Sequence, residues 1–162
     1  MLTLTEILRA SHVRRWNIVA TSRDQSVAEH SFNVCMIVRA LCKRLDIPDE
    51  ELTKAALEHD LDEIVFGDIP SPMKQKMQLD GINLNDYVAQ EMRKLTAFQK
   101  GILKIADLLD AILFLRDHKI DRHGEDVLRD VNHRLAHHMV ACCSNSPTVK
   151  AEVNMFVSEM LL

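Results

Sequence analysis

Apolar positions recur at helical spacing in stretch after stretch of the chain. Leu2, Leu4, Ile7 and Leu8 predict a short amphipathic helix between Leu2 and His12. The polar stretch Val13 to Ser26, with Arg14-Arg15-Trp16-Asn17-Ile18 inside it, reads as a loop. Ser26, with Glu29 three residues on, has the form of a capping box. It opens a helix from Val27 to Leu45 whose stripe of Val27, His30, Val34, Ile37, Val38, Leu41 and Leu45 turns His30 inward. Asp46-Ile47-Pro48 ends that helix, and Pro48 with the acids after it opens a third. This third helix is expected to run through Leu52, Ala55, Ala56, His59 and Glu63 to about Phe66, where Gly67 stops it.

Asp68-Ile69-Pro70 reads as extended, because residues before proline avoid the α region. Ser71-Pro72 begins a short helix carrying Met73, Lys74 and Met77, and a modest helix is expected around Asp86 to Leu95. Thr96 caps a long helix from Ala97 to about Lys119, apolar at Ile102, Ile105, Leu109, Ile112 and Leu113, with Asp107 and Asp110 deep inside it. Glu125 to Cys143 and a last helix from Ser146-Pro147 through Val149, Val153, Phe156 and Leu161 complete the pattern. The expected fold is all-α, a bundle of about seven helices forming a single domain over residues 1–162.

Composition agrees and narrows the partners. Four glycines, four prolines and 4% aromatic residues are too few for the turns and strands of an all-β protein. A net charge of -4 argues against a DNA- or RNA-binding surface, while leaving room for a local phosphate pocket. Cys35 and Cys42 share one helical face and read as core thiols. Cys142 and Cys143 are adjacent, and no CxxC pair occurs, so zinc-finger and redox readings are weak. No signal peptide and no apolar run near a membrane-spanning length is evident, so a soluble, reduced, cytoplasmic protein is expected.

The chemistry concentrates in Leu57-Glu58-His59-Asp60-Leu61-Asp62-Glu63-Ile64-Val65-Phe66-Gly67-Asp68. Carboxylates and imidazoles in an otherwise buriable segment are costly unless paired, hydrogen-bonded or bound to a metal. His30, His59, Asp60 and Asp107 together make a mixed N/O donor set suited to a divalent transition metal such as Zn, Co or Mn, with positions left open for water and a phosphate oxygen. One histidine on an apolar face is usually a satisfied core residue, but a buried Asp such as Asp107 is rare unless paired. Jointly the four favour a metal. His133, His137 and His138 lie off the apolar stripe of their helix and read as solvent or subunit contacts. Met73, Met77, Met92 and Met139 read as core filler.

Val27-Ala28-Glu29-His30-Ser31, the His59-Asp60 doublet and Asp107 in Lys104-Ile105-Ala106-Asp107 resemble the H…HD…D pattern of HD-domain phosphohydrolases. Arg15-Trp16, Glu63 and Gly67-Asp68-Ile69-Pro70-Ser71-Pro72 are similar to the 5'-deoxynucleotidase branch, and the compact chain is similar to the phage dATP triphosphohydrolases within it. That resemblance implies an HD-domain bundle with a divalent metal on His30, His59, Asp60 and Asp107, and Mg as a conceivable second ion. It implies that Glu63, with Asp60, activates the attacking water, and that Asp68 contacts sugar or water. Arg15, Lys74 and Lys104 would clamp phosphates, while Trp16 and Ile18 shape the base pocket. A hydrophobic plug is the competing reading of Trp16. The implied reaction is dATP to deoxyadenosine plus triphosphate. A deoxynucleoside 5'-monophosphatase is the alternative, and a non-catalytic HD adaptor, which intact ligands disfavour, is a second one. Homo-oligomers, dimer or hexamer, are implied as well, in a host cytoplasm if the chain is phage-encoded.

Overall fold

The two longest apolar stripes become the two helices that carry the core. In a computed structural model of the chain, which describes residues 2–82 and 94–162, α1 (Leu4–Ile7) passes into a 3-10 turn over Leu8–Ser11, and a long loop leads to α2 (Val27–Leu45). After α2 come α3 (Glu50–Glu58), α4 (Glu63–Phe66) and α5 (Ser71–Leu79). The carboxy-terminal part is α6 (Ala97–Asp117), α7 (Arg122–Cys143) and α8 (Pro147–Met160). Among the described residues the only β pairing is two isolated bridges, Arg14 with Ser26 and Thr21 with Ile120. The fold is all-α.

Each long helix starts on a side chain that satisfies its first free N–H groups. Ser26 Oγ accepts from Glu29 N, Asp121 from Gly124 N and Ser146 Oγ from Val149 N. Thr96 and Gln99 form a full capping box at the start of α6. The box expected at Ser26 is only half made, because the Glu29 carboxylate turns outward to the Arg23 guanidinium. Asp46 closes α2 in the left-handed region (φ 52°).

α6 packs against α2, α3 and α7, so its flanks are covered over most of its length. Val34, Val38 and Leu41 of α2, Leu52 of α3 and Ile102, Ile105, Leu109 and Ile112 of α6 are fully buried. Each such side chain contributes about 1.5–3 kcal/mol by leaving water. Close approach of α6 and α7 is set by Gly101, where an added Cβ would lie 2.9 Å from Cys142 Cβ. Gly101→Val is therefore expected to destabilise the protein by about 1–3 kcal/mol, read as a lower urea midpoint. An unchanged midpoint would mean that the helices separate at little cost.

Three expectations need correction. The helix predicted from Pro48 to Phe66 breaks: α3 stops at Glu58 and α4 begins only at Glu63. Between them the backbone tightens, with Leu61 N on Glu58 O, Glu63 N on Asp60 O and Ile64 N on Leu61 O. The Leu2–His12 stripe is not buried either, since Leu4 is 71% and Leu8 67% exposed. A four-residue helix is too short to nucleate firmly or to cover a core face. Met73 is exposed rather than core, on the outer face of α5. The helix expected at Asp86–Leu95, and Met92 with it, lies outside the described residues apart from its last two positions.

Candidate active site

The tightened turn after α3 is what aims the site. With close to three residues per turn instead of 3.6, residues three apart eclipse one another. Asp60 and Glu63 therefore line up on one face without a continuous helix. His59 caps α3, and its Nδ1 donates to Ala56 O at 2.8 Å, which leaves Nε2 as the ring nitrogen turned toward the site. That Nε2 lies 3.2 Å from His30 Nε2, contributed by the buried face of α2. His30 Nδ1 faces Asp110 Oδ2 at 2.6 Å, so it too presents Nε2 to the same point.

Asp60 Oδ2 is 3.4 Å from His59 Nε2 and 3.5 Å from His30 Nε2, and the donor atoms of His30, His59 and Asp60 all lie within 4.8 Å of one another. Asp107 is adjacent, with Oδ1 3.2 Å from His30 Nε2 and Oδ2 2.5 Å from Lys104 Nζ. Two imidazole nitrogens with their far sides engaged, turned toward each other and toward two carboxylates, need a positive charge between them. Burial and Arg15 disfavour a proton on His30, but Asp107 and Asp110 outweigh them and raise its pKa. The same carboxylates favour a divalent cation in the proton's place, and loading one would release that proton. The donor set fits a metal.

The surrounding charges are arranged by pairs. Burial would raise Asp60, but His59, Arg15 and His30 hold it at about 2. Burial opposes ionisation of Asp107 as well, yet Lys104 and the contact with His30 keep it well below the usual carboxylate range. Glu63 behaves oppositely: burial, then the Asp60 charge, push it up to about 8 against the pull of Lys74. Its Oε1 accepts from Lys74 Nζ at 2.9 Å, while Oε2 is buried with no partner. Arg15 Nη1 donates to Asp60 Oδ2 at 2.8 Å, and its Nε is buried without a partner too. A buried acceptor and a buried donor left open beside the donor set are the groups that water and substrate would satisfy.

All the substrate-binding residues expected from sequence line one cavity of about 500 Å³. Arg15, Trp16, Ile18, Asp68, Lys74 and Lys104 line it, together with Asp60, Glu63 and Asp107. Trp16 adopts a left-handed backbone (φ 66°), with its N–H on Asp68 Oδ2 at 3.1 Å. Its ring lies parallel to Phe114 of α6 at 6.0 Å, so it is both cavity wall and plug, seated on α6. Asp68 spends one carboxylate oxygen on the Trp16 loop, and Ile18 sits at the rim, 52% exposed. Asp62 is half-buried, and burial raises its pKa. His133 and His137 are exposed, as expected.

Two residues contribute to which no sequence motif assigns a role. Asp110 accepts from His30 Nδ1, Gln25 Nε2 (2.9 Å) and Asn33 Nδ2 (2.8 Å), which orients the imidazole. Its signal in the sequence is an unpaired carboxylate three residues past Asp107 in an apolar run. Arg134 of α7 also lines the cavity, and nothing in its local pattern marks it. Asp110→Asn is expected to weaken divalent-metal affinity about 10- to 100-fold, measured by competition with a chelator. Unchanged affinity would reduce Asp110 to a packing residue.

A helical bundle with a histidine on one helix, a His-Asp doublet on the next turn of the core and an aspartate on a central helix defines the HD-domain class. A family model for "5'-deoxynucleotidase YfbR-like" matches residues 4–83. The chain is 36% identical to a dATP triphosphohydrolase of Cyanophage S-2L over 75% of its own length and 74% of the relative's. It is 30% identical to a dATP triphosphohydrolase of Acinetobacter phage SH-Ab 15497, over 94% and 87% of the two chains. A solved Cyanophage S-2L HD phosphohydrolase, DatZ, bound to dA and one catalytic Zn2+, superposes with a TM-score of 0.82 at 27% identity, covering 98% of this chain and 96% of that one. This chain belongs to the YfbR-like HD phosphohydrolases and is an enzyme of that family.

Proposed function

We propose that the enzyme hydrolyses dATP to deoxyadenosine and triphosphate. The observation that carries this reading is the cavity itself. Four cationic side chains, Arg15, Lys74, Lys104 and Arg134, line it together with the Asp60 and Asp107 carboxylates, and Trp16 and Ile18 are part of the same lining. Four cations suit a polyphosphate better than a single phosphate. The two phage relatives named for dATP hydrolysis support the base.

His30, His59, Asp60 and Asp107 would hold the divalent metal, Zn, Co or Mn, with Mg as a second ion carried by the phosphates. When bound, the metal supplies charge that acidifies a water and neutralises a phosphate oxygen. Glu63 Oε2 takes a proton from the attacking water, a role suited to a carboxyl with a pKa near the working pH. The water oxygen joins the α-phosphorus, the bond to O5' breaks, and the proton taken up by Glu63 is passed through solvent to O5' as deoxyadenosine and triphosphate form. Asp60, between Arg15 and the imidazoles, keeps the guanidinium aimed at the phosphates. Lys74 and Lys104 carry the charge of the triphosphate, exchanging their Glu63 and Asp107 contacts for phosphate oxygens. Asp68 and Trp16 hold the sugar and base side.

Incubating the metal-loaded protein with each dNTP and dNMP separates the readings by product. Triphosphate and deoxyadenosine from dATP are expected. Turnover of monophosphates alone would establish the 5'-deoxynucleotidase alternative, and a protein that retains no stoichiometric metal would be an adaptor. A homo-oligomer, dimer or hexamer, is the proposed assembly, supported by exposed Leu4, Leu8, Phe32 and Met36. Light scattering would identify it. No described helix is long and apolar enough to cross a membrane, and the cytoplasm, with its deoxynucleotide pool, is the proposed place of action.

A further inference from the structure

Gln25 is fully buried, immediately before the Ser26 cap of α2, and takes no part in the chemistry above. A primary amide sealed from water is costly unless both its ends are satisfied. Its Oε1 accepts from Trp16 Nε1 at 2.9 Å, and its Nε2 donates to Asp110 Oδ2 at 2.9 Å. The orientation of the amide is dictated by its partners, because an indole N–H only donates and a carboxylate accepts. Asp110 Oδ2 in turn contacts His30 Nδ1 at 2.6 Å. Indole, amide, carboxylate and imidazole therefore form one unbroken chain, half-buried at Trp16 and buried from Gln25 onward, from the wall of the cavity to His30.

The near end of that chain is held as firmly as the far end. Gln25 O accepts from Arg15 N at 2.9 Å, and Trp16 N donates to Asp68 Oδ2 at 3.1 Å. Trp16 stays in a left-handed conformation that is unfavourable for a non-glycine residue. Such a conformation persists only where the surroundings over-determine it. A change in the His30 ring would be felt through Asp110 by the amide that holds the indole.

We propose that Gln25 is a positioning residue that ties the Trp16 wall to His30, so that metal occupancy and binding of a deoxynucleoside against Trp16 strengthen each other. The deoxynucleoside half rests on the function proposed above, and the metal half does not. Such coupling is reciprocal: the factor by which metal improves nucleoside affinity equals the factor by which nucleoside improves metal affinity.

Trp16 is the only tryptophan of the chain, so its fluorescence reports on this wall alone. Metal-free protein titrated with Zn2+, which does not itself quench, is expected to change the Trp16 emission at one equivalent. In Gln25→Met, one Zn2+ should still bind by calorimetry but leave the emission unchanged. Deoxyadenosine affinity, measured calorimetrically with and without Zn2+, is expected to differ about fivefold or more in the wild type and to become nearly independent of Zn2+ in the variant. Trp16→Phe, which keeps an aromatic ring beside Phe114 but loses the five-membered ring with its N–H, is read by calorimetry; its deoxyadenosine affinity should likewise become nearly independent of Zn2+, which decides the matter if Gln25→Met fails to fold. A wild-type emission blind to bound Zn2+, or coupling that survives in these variants, overturns the proposal. Absence of deoxyadenosine binding in the wild type would instead overturn the base reading, while the Zn2+ titration still tests the relay.

Discussion

Asp107→Ala is expected to abolish stoichiometric metal binding and to lower turnover by more than about 100-fold, beyond the loss caused by an outer partner of a metal ligand. Asp107 stands in the middle of α6 with one oxygen 3.2 Å from His30 Nε2 and the other 2.5 Å from Lys104 Nζ. Removing it takes one negative charge from the donor set and leaves the Lys104 ammonium facing the imidazoles, which repels a cation. Helicity should be nearly unchanged, because α6 is held by Ile102, Ile105, Leu109 and Ile112 on its buried flanks and alanine is a strong helix former. Metal analysis and circular dichroism of the purified variant check both halves. Retained turnover with bound metal would remove Asp107 from the ligands.

Glu63→Gln is expected to lower kcat by about 100- to 10,000-fold, the range for loss of a general base, and to stabilise the protein at alkaline pH. The sign follows from its pKa, pushed up to about 8 by burial and the Asp60 charge from an ordinary value of 4.5. A carboxyl whose folded pKa is raised contributes its full stability below the unfolded value and loses it as pH rises through the folded one. Between roughly pH 4.5 and pH 8 the wild type therefore gives up stability that a neutral glutamine keeps. Lys74, which loses its Glu63 partner, is 39% exposed and can turn to water. Urea midpoints of the two proteins should nearly coincide near pH 5 and favour the glutamine variant near pH 9. A constant difference across that range would mean that Glu63 ionises at an ordinary pH.

These two residues also mark how far the linear pattern reaches. Asp107 was legible because a carboxylate in an apolar helix has few explanations, and α6 forms over nearly the stretch its periodicity predicts. Glu63 was legible as a residue, but its placement rested on a helix that does not form: the turn from His59 to Asp62 aligns it with Asp60 by i to i+3 eclipsing. Local spacing can describe a helical face, whereas it cannot say where buried side chains and a metal donor will tighten the backbone out of the α form. Asp110 and Gln25 were harder still, since their partners, His30 and Trp16, lie 80 and 9 residues away.

The linear sequence determined the all-α class, the ends of α2, α6 and α8, and the donor types, because caps, periodicity and the cost of burying charge act through neighbours along the chain. Only the tertiary structure decided that His30, His59 and Asp60 converge within 4.8 Å, that Trp16 rests on Phe114, and that Arg134 joins the cavity. Convergence depends on how α2, α3, α6 and α7 pack, and packing is set by contacts between residues far apart in sequence.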